Sequence, residues 1–330
     1  MRVSVIVPCR NEAAHLPHFL QAVFAQRLPA GCSLEVIVAD GDSDDGTRAE
    51  LLRWQAREPG LTAIDNPRRI VSTGLNAAVA VARGDLLVRM DVHTTYAPDY
   101  IAMCAQVLDE TGADCVGGAW RPVGDSAIAL AFRSRFGSGG AASRREAYSG
   151  EVDTVYLGAW KRETLIALGG FDERLVRNQD DELNLRITRG GGRVWQDARI
   201  VSHYTPRDSY AALARQFHQY GYWKVAVIRK HRLPASPRHV LPFGFVALLG
   251  LLALAAPWSA AAAAALAALL GLYAAAALAN GLVAAPRQAL GVAWATACMQ
   301  LGYGLGFGRG LLDMVVLRRG AGAAMTRLTR

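Results

Sequence analysis

In the stretch VRMDVHTTY, an apolar run ends and Asp91 and His93 follow, one residue apart. A carboxylate and an imidazole in that relation are either a site for a divalent cation or the polar end of a strand. Two other polar clusters stand in the same place relative to an apolar run. PCRNE, Pro8 to Glu12, follows residues 3–7, and DGDSDDGT, Asp40 to Thr47, follows residues 34–39. Singly, each cluster is also what a strand-to-helix turn uses for capping and reversal. Together, three of them after three apolar runs point to one shared rim.

The elements that must position these residues read as strands at 3–7, 34–39 and 86–90, alternating with helical patterns at 13–25, 48–55 and 74–82. Such alternation predicts an α/β domain with a mostly parallel sheet and helices on both faces. In sheets of this kind ligands bind beyond the carboxyl ends of the strands, where the three clusters fall. No glycine-rich G-x-G-x-x-G turn follows the first strand and no G-x-x-x-x-G-K-[ST] loop is present. A bound nucleotide would therefore be held by carboxylates and a metal rather than by a glycine phosphate cradle.

The net charge of +8 is unevenly spread: residues 207–330 hold 13 Lys and Arg against Asp208 and Asp313 alone. That asymmetry argues against a nucleic-acid footprint over the whole chain. The same half is apolar. Residues 240–286 are 47 positions without a charge, with Pro257-Trp258-Ser259 as an internal turn. At about 20 residues per membrane helix this run fits two spans, and the glycine-rich stretch 288–308 is a third apolar segment. The bland alternative is buried core helices, but these segments lack the polar face of soluble helices. The start of the chain lacks the apolar core of a signal peptide, so the first domain is expected in the cytosol. Lys224, Arg229, Lys230, Arg232 and Arg238 before the first span agree with a cytosolic flank. Five cysteines without metal-ligand spacing fit a reducing compartment.

VSVIVPCRNE, VIVADGDSDDGT, the DVH triplet and GGFDERLVRNQDDELNLR, in this order over roughly residues 2–205, resemble the motifs of family 2 glycosyltransferases with the GT-A fold. The wording EVDTVYLGAWKRE and the short C-terminal part resemble most the succinoglycan-type exopolysaccharide glucosyltransferases. The resemblance implies a Rossmann-like, mostly parallel GT-A catalytic domain at 1–206. Beyond it would come juxtamembrane interfacial helices at 207–239, two to three membrane helices at 240–317 and a basic tail at 318–330.

It also implies roles for matching residues. Pro8, Arg10 and Glu12 match the segment that holds the base and ribose of a nucleotide diphosphate sugar, and Asp40 matches the acid on the uracil or ribose. Asp91 matches the first acid of D-x-D, where His93 replaces the second; an imidazole tilts the expected cofactor from Mg2+ towards Mn2+. At i and i+2 of an extended segment both side chains point one way. His203, in IVSHYTP, is the candidate third ligand, against a purely structural histidine. Asp180 matches the general base on the acceptor hydroxyl, with Asp181 as the alternative and a solvated helix start as the rival reading. Gln179 departs from the family's first acid at that place. Gly169 and Gly170 would let backbone approach the acceptor. Residues 134–150 are either a lid, with Arg144 and Arg145 aimed at phosphates, or a surface loop. Tyr210, Phe217, Tyr220, Tyr222 and Trp223 among basic residues suit a helix in the membrane interface.

The expected activity is transfer of a sugar, glucose being one candidate, from a UDP-sugar to a polyprenyl-diphosphate-linked saccharide. Transfer would occur at the cytosolic face of the inner membrane, the protein being multi-pass and without a nucleic-acid partner. A polyprenyl-phosphate sugar synthase and a catalytically silent scaffold of the same fold are the rivals.

Overall fold

Residues Arg2–Cys9 (β1) are buried along nearly their whole length, as an interior strand of a parallel sheet covered on both faces must be. The computed structural model describes residues 1–137 and 139–326, so Arg327 and Arg330 of the expected tail and Ser138 of the 134–150 segment lie outside the described residues. The chain forms two units, one of Met1–Arg121 with Arg145–Thr205 and one of Pro122–Arg144 with Pro206–Arg330. The expected boundary at 206 coincides with the return to the second unit, but that unit also takes in 122–144.

In the first unit β1 lies between Ser33–Asp40 (β2) and Leu86–Arg89 (β4), both parallel to it, and Leu61–Asp65 (β3) continues the parallel order outside β2. Thr94–Tyr96 (β5), Arg121–Pro122 (β7) and Ser202–Tyr204 (β11) form a separate small sheet. The main sheet is completed by Cys115–Gly118 (β6), Gly150–Glu151 (β8), Tyr156–Lys161 (β9) and Val194–Gln196 (β10), in the order β3-β2-β1-β4-β9-β6-β10-β8. Strand β9 runs antiparallel between β4 and β6, so the sheet is mostly, not wholly, parallel.

Helices Leu16–Phe24 (α1) and Tyr100–Thr111 (α4) close one face with Val5, Val7, Val36, Val38 and Val88. The alternate residues Ile6, Ile37 and Leu87 are also buried, so the opposite face is covered too. Thr47–Gln55 (α2), Val71–Val81 (α3), Arg162–Ala167 (α6) and Gln179–Arg189 (α7) are the remaining helices of this unit; Ala127–Arg133 (α5) belongs to the other. The helix expected from residue 13 begins at Leu16, with Pro17 in its first turn, where a missing N–H costs nothing.

Gly118 ends β6 where a Cβ would run into the carbonyl of Ile200. Backbone cannot give way as a flexible side chain does. Gly118→Ala is therefore expected to cost about 3 kcal/mol, read as a lower denaturant midpoint of the first unit.

In the second unit, Tyr210–His231 (α8) and Ala289–Leu311 (α11) pack backbone to backbone. Gly302, Gly306 and Gly310 lie on one stripe of α11, each with a carbonyl of α8 (Ala214, His218, Tyr222) where a Cβ would stand. The glycines of the third apolar segment thus serve close helix packing. Tyr222 and Trp223, expected at a membrane interface, are buried instead, the Trp223 indole N–H donating to the Met325 carbonyl at 2.9 Å. Among the described residues Ala260–Ala284 (α10) is the one helix long and apolar enough to cross a membrane. Leu241–Ala255 (α9) has 15 residues, roughly 22 Å at 1.5 Å per residue, short of a bilayer core. The two to three spans expected reduce to one helix that qualifies by length and composition.

Candidate active site

The in-register pairing of β1 with β2 sets Cys9 beside Asp40, and β4 runs parallel on the other side of β1. PCRNE, DGDSDDGT and DVH therefore leave the sheet at one edge, as the alternation of strands and helices predicts. Most of DGDSDDGT turns out to hold PCRNE in place. The Asn11 N–H donates to Ser43 Oγ at 2.9 Å, while the Asn11 amide and the Asp44 carboxyl and N–H bond reciprocally at 2.9 and 3.0 Å. Glu12 N–H donates to Thr47 Oγ1 at 2.8 Å and Ala13 N–H to Asp45 at 3.0 Å. Turn chemistry is thus the observed role of Ser43, Asp44 and Asp45. Asp40, which accepts Ser43 Oγ at 2.5 Å, and Glu12 are both buried, and Arg10 lies against Gly41. Pro8 is half-buried at the end of β1. Burial and then the neighbouring Glu12, Asp40 and Asp45 push the Cys9 thiol far up, so it is neutral and the rim is a negative place.

The DVH segment departs from the extended geometry expected of it. Thr94 N–H donates to the Asp91 carbonyl at 3.1 Å, closing a turn, because Val92 is drawn into the main core and the Tyr96 hydroxyl bridges Asp91 N–H and carbonyl. Arg89 grips the Asp91 carboxylate with a two-point fork at 3.0 and 3.1 Å. Burial works against its charge, yet Asp91 and Asp180 together raise the Arg89 pKa further, so one buried cation serves both acids. His93 Nδ1 is 2.9 Å from Glu12 Oε1. His203 is exposed on β11 opposite Thr95. Among the described residues no three His, Cys, Asp or Glu side chains are gathered as a metal-ligand set, so Asp91, His93 and His203 do not form the trio expected. The donor chemistry that is present fits a divalent cation nonetheless. Carboxylate oxygen and imidazole nitrogen are both donor types that divalent cations such as Mn2+ accept.

Asp180 and Asp181 stand half-buried in the first turn of α7, after Asn178 at φ 60°. Glu182, the third acid, is fully buried and paired with Arg186 at 2.9 Å. Arg186 also donates to the carbonyls of Leu168 and Gly170. The acid cluster thus divides into two half-exposed carboxylates and one structural ion pair. Gly169 and Gly170 take φ 76° and 68°, a left-handed turn that a side chain would strain. Behind Gly170, Asn76 of α3 bonds both the N–H and the carbonyl of Phe171 at 2.8 Å. Arg144 belongs to the second unit, its guanidinium 5.9 Å from the Phe132 ring centre, and Arg145 is exposed in the first unit. The 134–150 segment is tied down at both ends: Gln300 donates to the Phe136 carbonyl at 2.6 Å and Gln196 to the Arg145 carbonyl at 2.9 Å.

Arg89 and Asn76 escape the sequence reading, and Arg186, the last residue of GGFDERLVRNQDDELNLR, is given no role there. A signal existed for two of them: Arg89 interrupts an apolar strand and Asn76 an apolar helix, and a lone polar residue in such a place needs a buried partner.

A mostly parallel sheet whose carboxyl edge carries Glu12, Asp40, Asp91 and His93, with Asp180 near Arg89, defines an α/β domain with an acidic rim where such sheets bind their ligands. Residues 4–160 match the family described as "Glycosyl transferase family 2", and the chain belongs to that family; it is an enzyme, a glycosyltransferase. It is 33% identical over 320 residues to the succinoglycan biosynthesis protein ExoA of Rhizobium meliloti, covering 94% of each chain. It is 25% identical to a Methanococcus voltae enzyme over 75% of this chain and 79% of that one. That enzyme is named dolichyl N-acetyl-alpha-D-glucosaminyl phosphate 3-beta-D-2,3-diacetamido-2,3-dideoxy-beta-D-glucuronosyltransferase. The fold matches the mannosyltransferase PcManGT of Pyrobaculum calidifontis, solved in complex with GDP-Man and Mn2+. There the TM-score is 0.66 at 24% identity, over 94% of this chain and 86% of that one. The fold is thus the GT-A fold the sequence resemblance implied.

Proposed function

We propose that this enzyme transfers a sugar, with inversion, from a nucleotide diphosphate sugar to a lipid-linked saccharide, UDP-sugars being the first donors to test. The observation that carries the reading is the convergence of Glu12, Asp40, Asp91 and His93 on one sheet edge. Asp40, with Pro8 and Arg10, would face the base and ribose. Asp91 and His93 would hold Mn2+ or Mg2+, whose contribution is Lewis-acid stabilisation of the leaving diphosphate. Asp180 would take the acceptor proton as the new bond forms, and the glycine turn at 169–170 would border the acceptor. His203 belongs to the metal proposal only as an outer residue, being exposed and on a different strand.

A membrane site of action is supported by α10 and by the apolar side chains that the second unit exposes. Leu251 is 65% exposed, Trp258 85%, Leu272 70% and Val283 89%. In this reading α10 anchors the protein to the inner membrane, with the catalytic unit cytosolic. The relative named for succinoglycan biosynthesis supports a cell-surface polysaccharide role.

The test is nucleotide release by the purified full chain from UDP- and GDP-sugars, with Mn2+, Mg2+ or EDTA. Polyprenyl-diphosphate saccharides or bare polyprenyl phosphate serve as acceptor. Several kcal/mol of leaving-group stabilisation correspond to at least about 100-fold loss in EDTA, and a similar loss in Asp91→Asn. Metal-independent release, equal in Asp91→Asn, would overturn the metal reading. Transfer to the bare phosphate alone would make the enzyme a polyprenyl-phosphate sugar synthase.

A further inference from the structure

His93 stands where the family motif has an acid, and the structure shows what stands behind it. The Glu12 side chain is 7% exposed and its carboxylate lies 2.9 Å from His93 Nδ1. The Glu12 backbone is fixed from both sides: its N–H donates to Thr47 Oγ1, and its carbonyl accepts from His15 and Leu16 at the start of α1. A carboxylate only accepts, so in a neutral ring the Nδ1 position donates to Glu12 and the Nε2 lone pair is the one that a cation can use. No hydrogen bond to Nε2 occurs among the described residues, and the ring is partly exposed.

Charge points the same way. Asp91 is already shared with the Arg89 guanidinium, and a neutral imidazole adds no negative charge of its own. A divalent cation held by these two groups alone would meet little net negative charge. A carboxylate behind the ring supplies the missing charge through the N–H bond and fixes the orientation of the ring.

We propose that Glu12 is the positioning residue of His93, so that the Glu12–His93 pair does the work of the second acid of D-x-D. The inference rests on the metal reading of Asp91 and His93 given above, and it moves Glu12 from the base and ribose to the metal. Glu12 is not itself a ligand.

The experiment is titration of Mn2+ alone into the donor-free full chain, followed by the electron paramagnetic resonance signal of free Mn2+. UDP and GDP affinity is measured alongside, in EDTA. Glu12→Gln is expected to weaken Mn2+ binding about 10- to 100-fold while leaving metal-free nucleotide affinity within about twofold of its starting value. Glu12→Asp, which keeps the charge but shortens the reach, should recover part of the loss. The double variant Glu12→Gln with His93→Asp, which returns the acid to the motif, should bind Mn2+ within about tenfold of the unaltered protein. Unchanged Mn2+ affinity in Glu12→Gln, together with lost affinity in His93→Ala, would overturn the role of Glu12 and leave the metal reading standing. Unchanged Mn2+ affinity in His93→Ala would overturn the metal reading itself. A fall in metal-free nucleotide affinity in Glu12→Gln, with Mn2+ binding intact, would return Glu12 to the nucleotide.

Discussion

Asp180→Asn is expected to lower turnover by about 10²- to 10⁴-fold, the usual contribution of a positioned general base, with donor affinity nearly unchanged. Asparagine keeps the size and the hydrogen-bonding oxygen, so the Asp181 N–H, 2.9 Å from Asp180 Oδ1, keeps its acceptor. What is lost is the group that can take a proton. Single-turnover rates with saturating donor separate this from a binding defect. Asp181→Asn is the comparison, expected to fall by less than about tenfold. Equal losses in the two variants would remove the distinction between them, and a larger loss in Asp181→Asn would move the base to Asp181.

The second large effect concerns stability. Arg186→Met removes a cation from beside the fully buried Glu182 carboxylate and takes away the Arg186 donor of the Leu168 and Gly170 carbonyls. Breaking a buried pair from one side costs about 3–5 kcal/mol, so chemical denaturation should show the loss directly. The same argument makes the single variant worse than the double. Arg186→Met with Glu182→Leu removes both charges, and replacing a whole buried pair by apolar groups is often close to neutral. The double variant is therefore expected to recover most of the loss. Equal destabilisation in single and double variants would mean that the carbonyl bonds, not the buried charge, dominate. Turnover should fall in both, because Arg186 holds the left-handed turn at Gly169 and Gly170.

The edge on which the chemistry gathers could be read from sequence because it follows from period and order. Apolar β-branched runs followed by polar turns and apolar-periodic helices leave few arrangements besides a parallel sheet, and a parallel sheet places every strand's carboxyl end on one side. Strand β3 is not legible in sequence, for the converse reason. LTAID sits at the sheet margin, half-exposed, and shows neither a continuous apolar run nor a clear alternation. The number of spans is not legible in sequence, because glycine-rich apolar composition does not say what it packs against. In α11 the same residues that look like a span lie against α8 carbonyls.

The sequence by itself determined the class of fold, the family and the shared rim of Glu12, Asp40 and Asp91, because local pattern and strand direction suffice for these. Only the tertiary structure decided how the polar residues are divided: Ser43, Asp44 and Asp45 to holding a loop, Glu182 to a buried ion pair, Glu12 to His93 and Arg89 to Asp91. These partners are up to 81 residues apart in the chain. A carboxylate's role depends on which cation, N–H or imidazole lies within about 3 Å of it, and nothing in its local sequence records that.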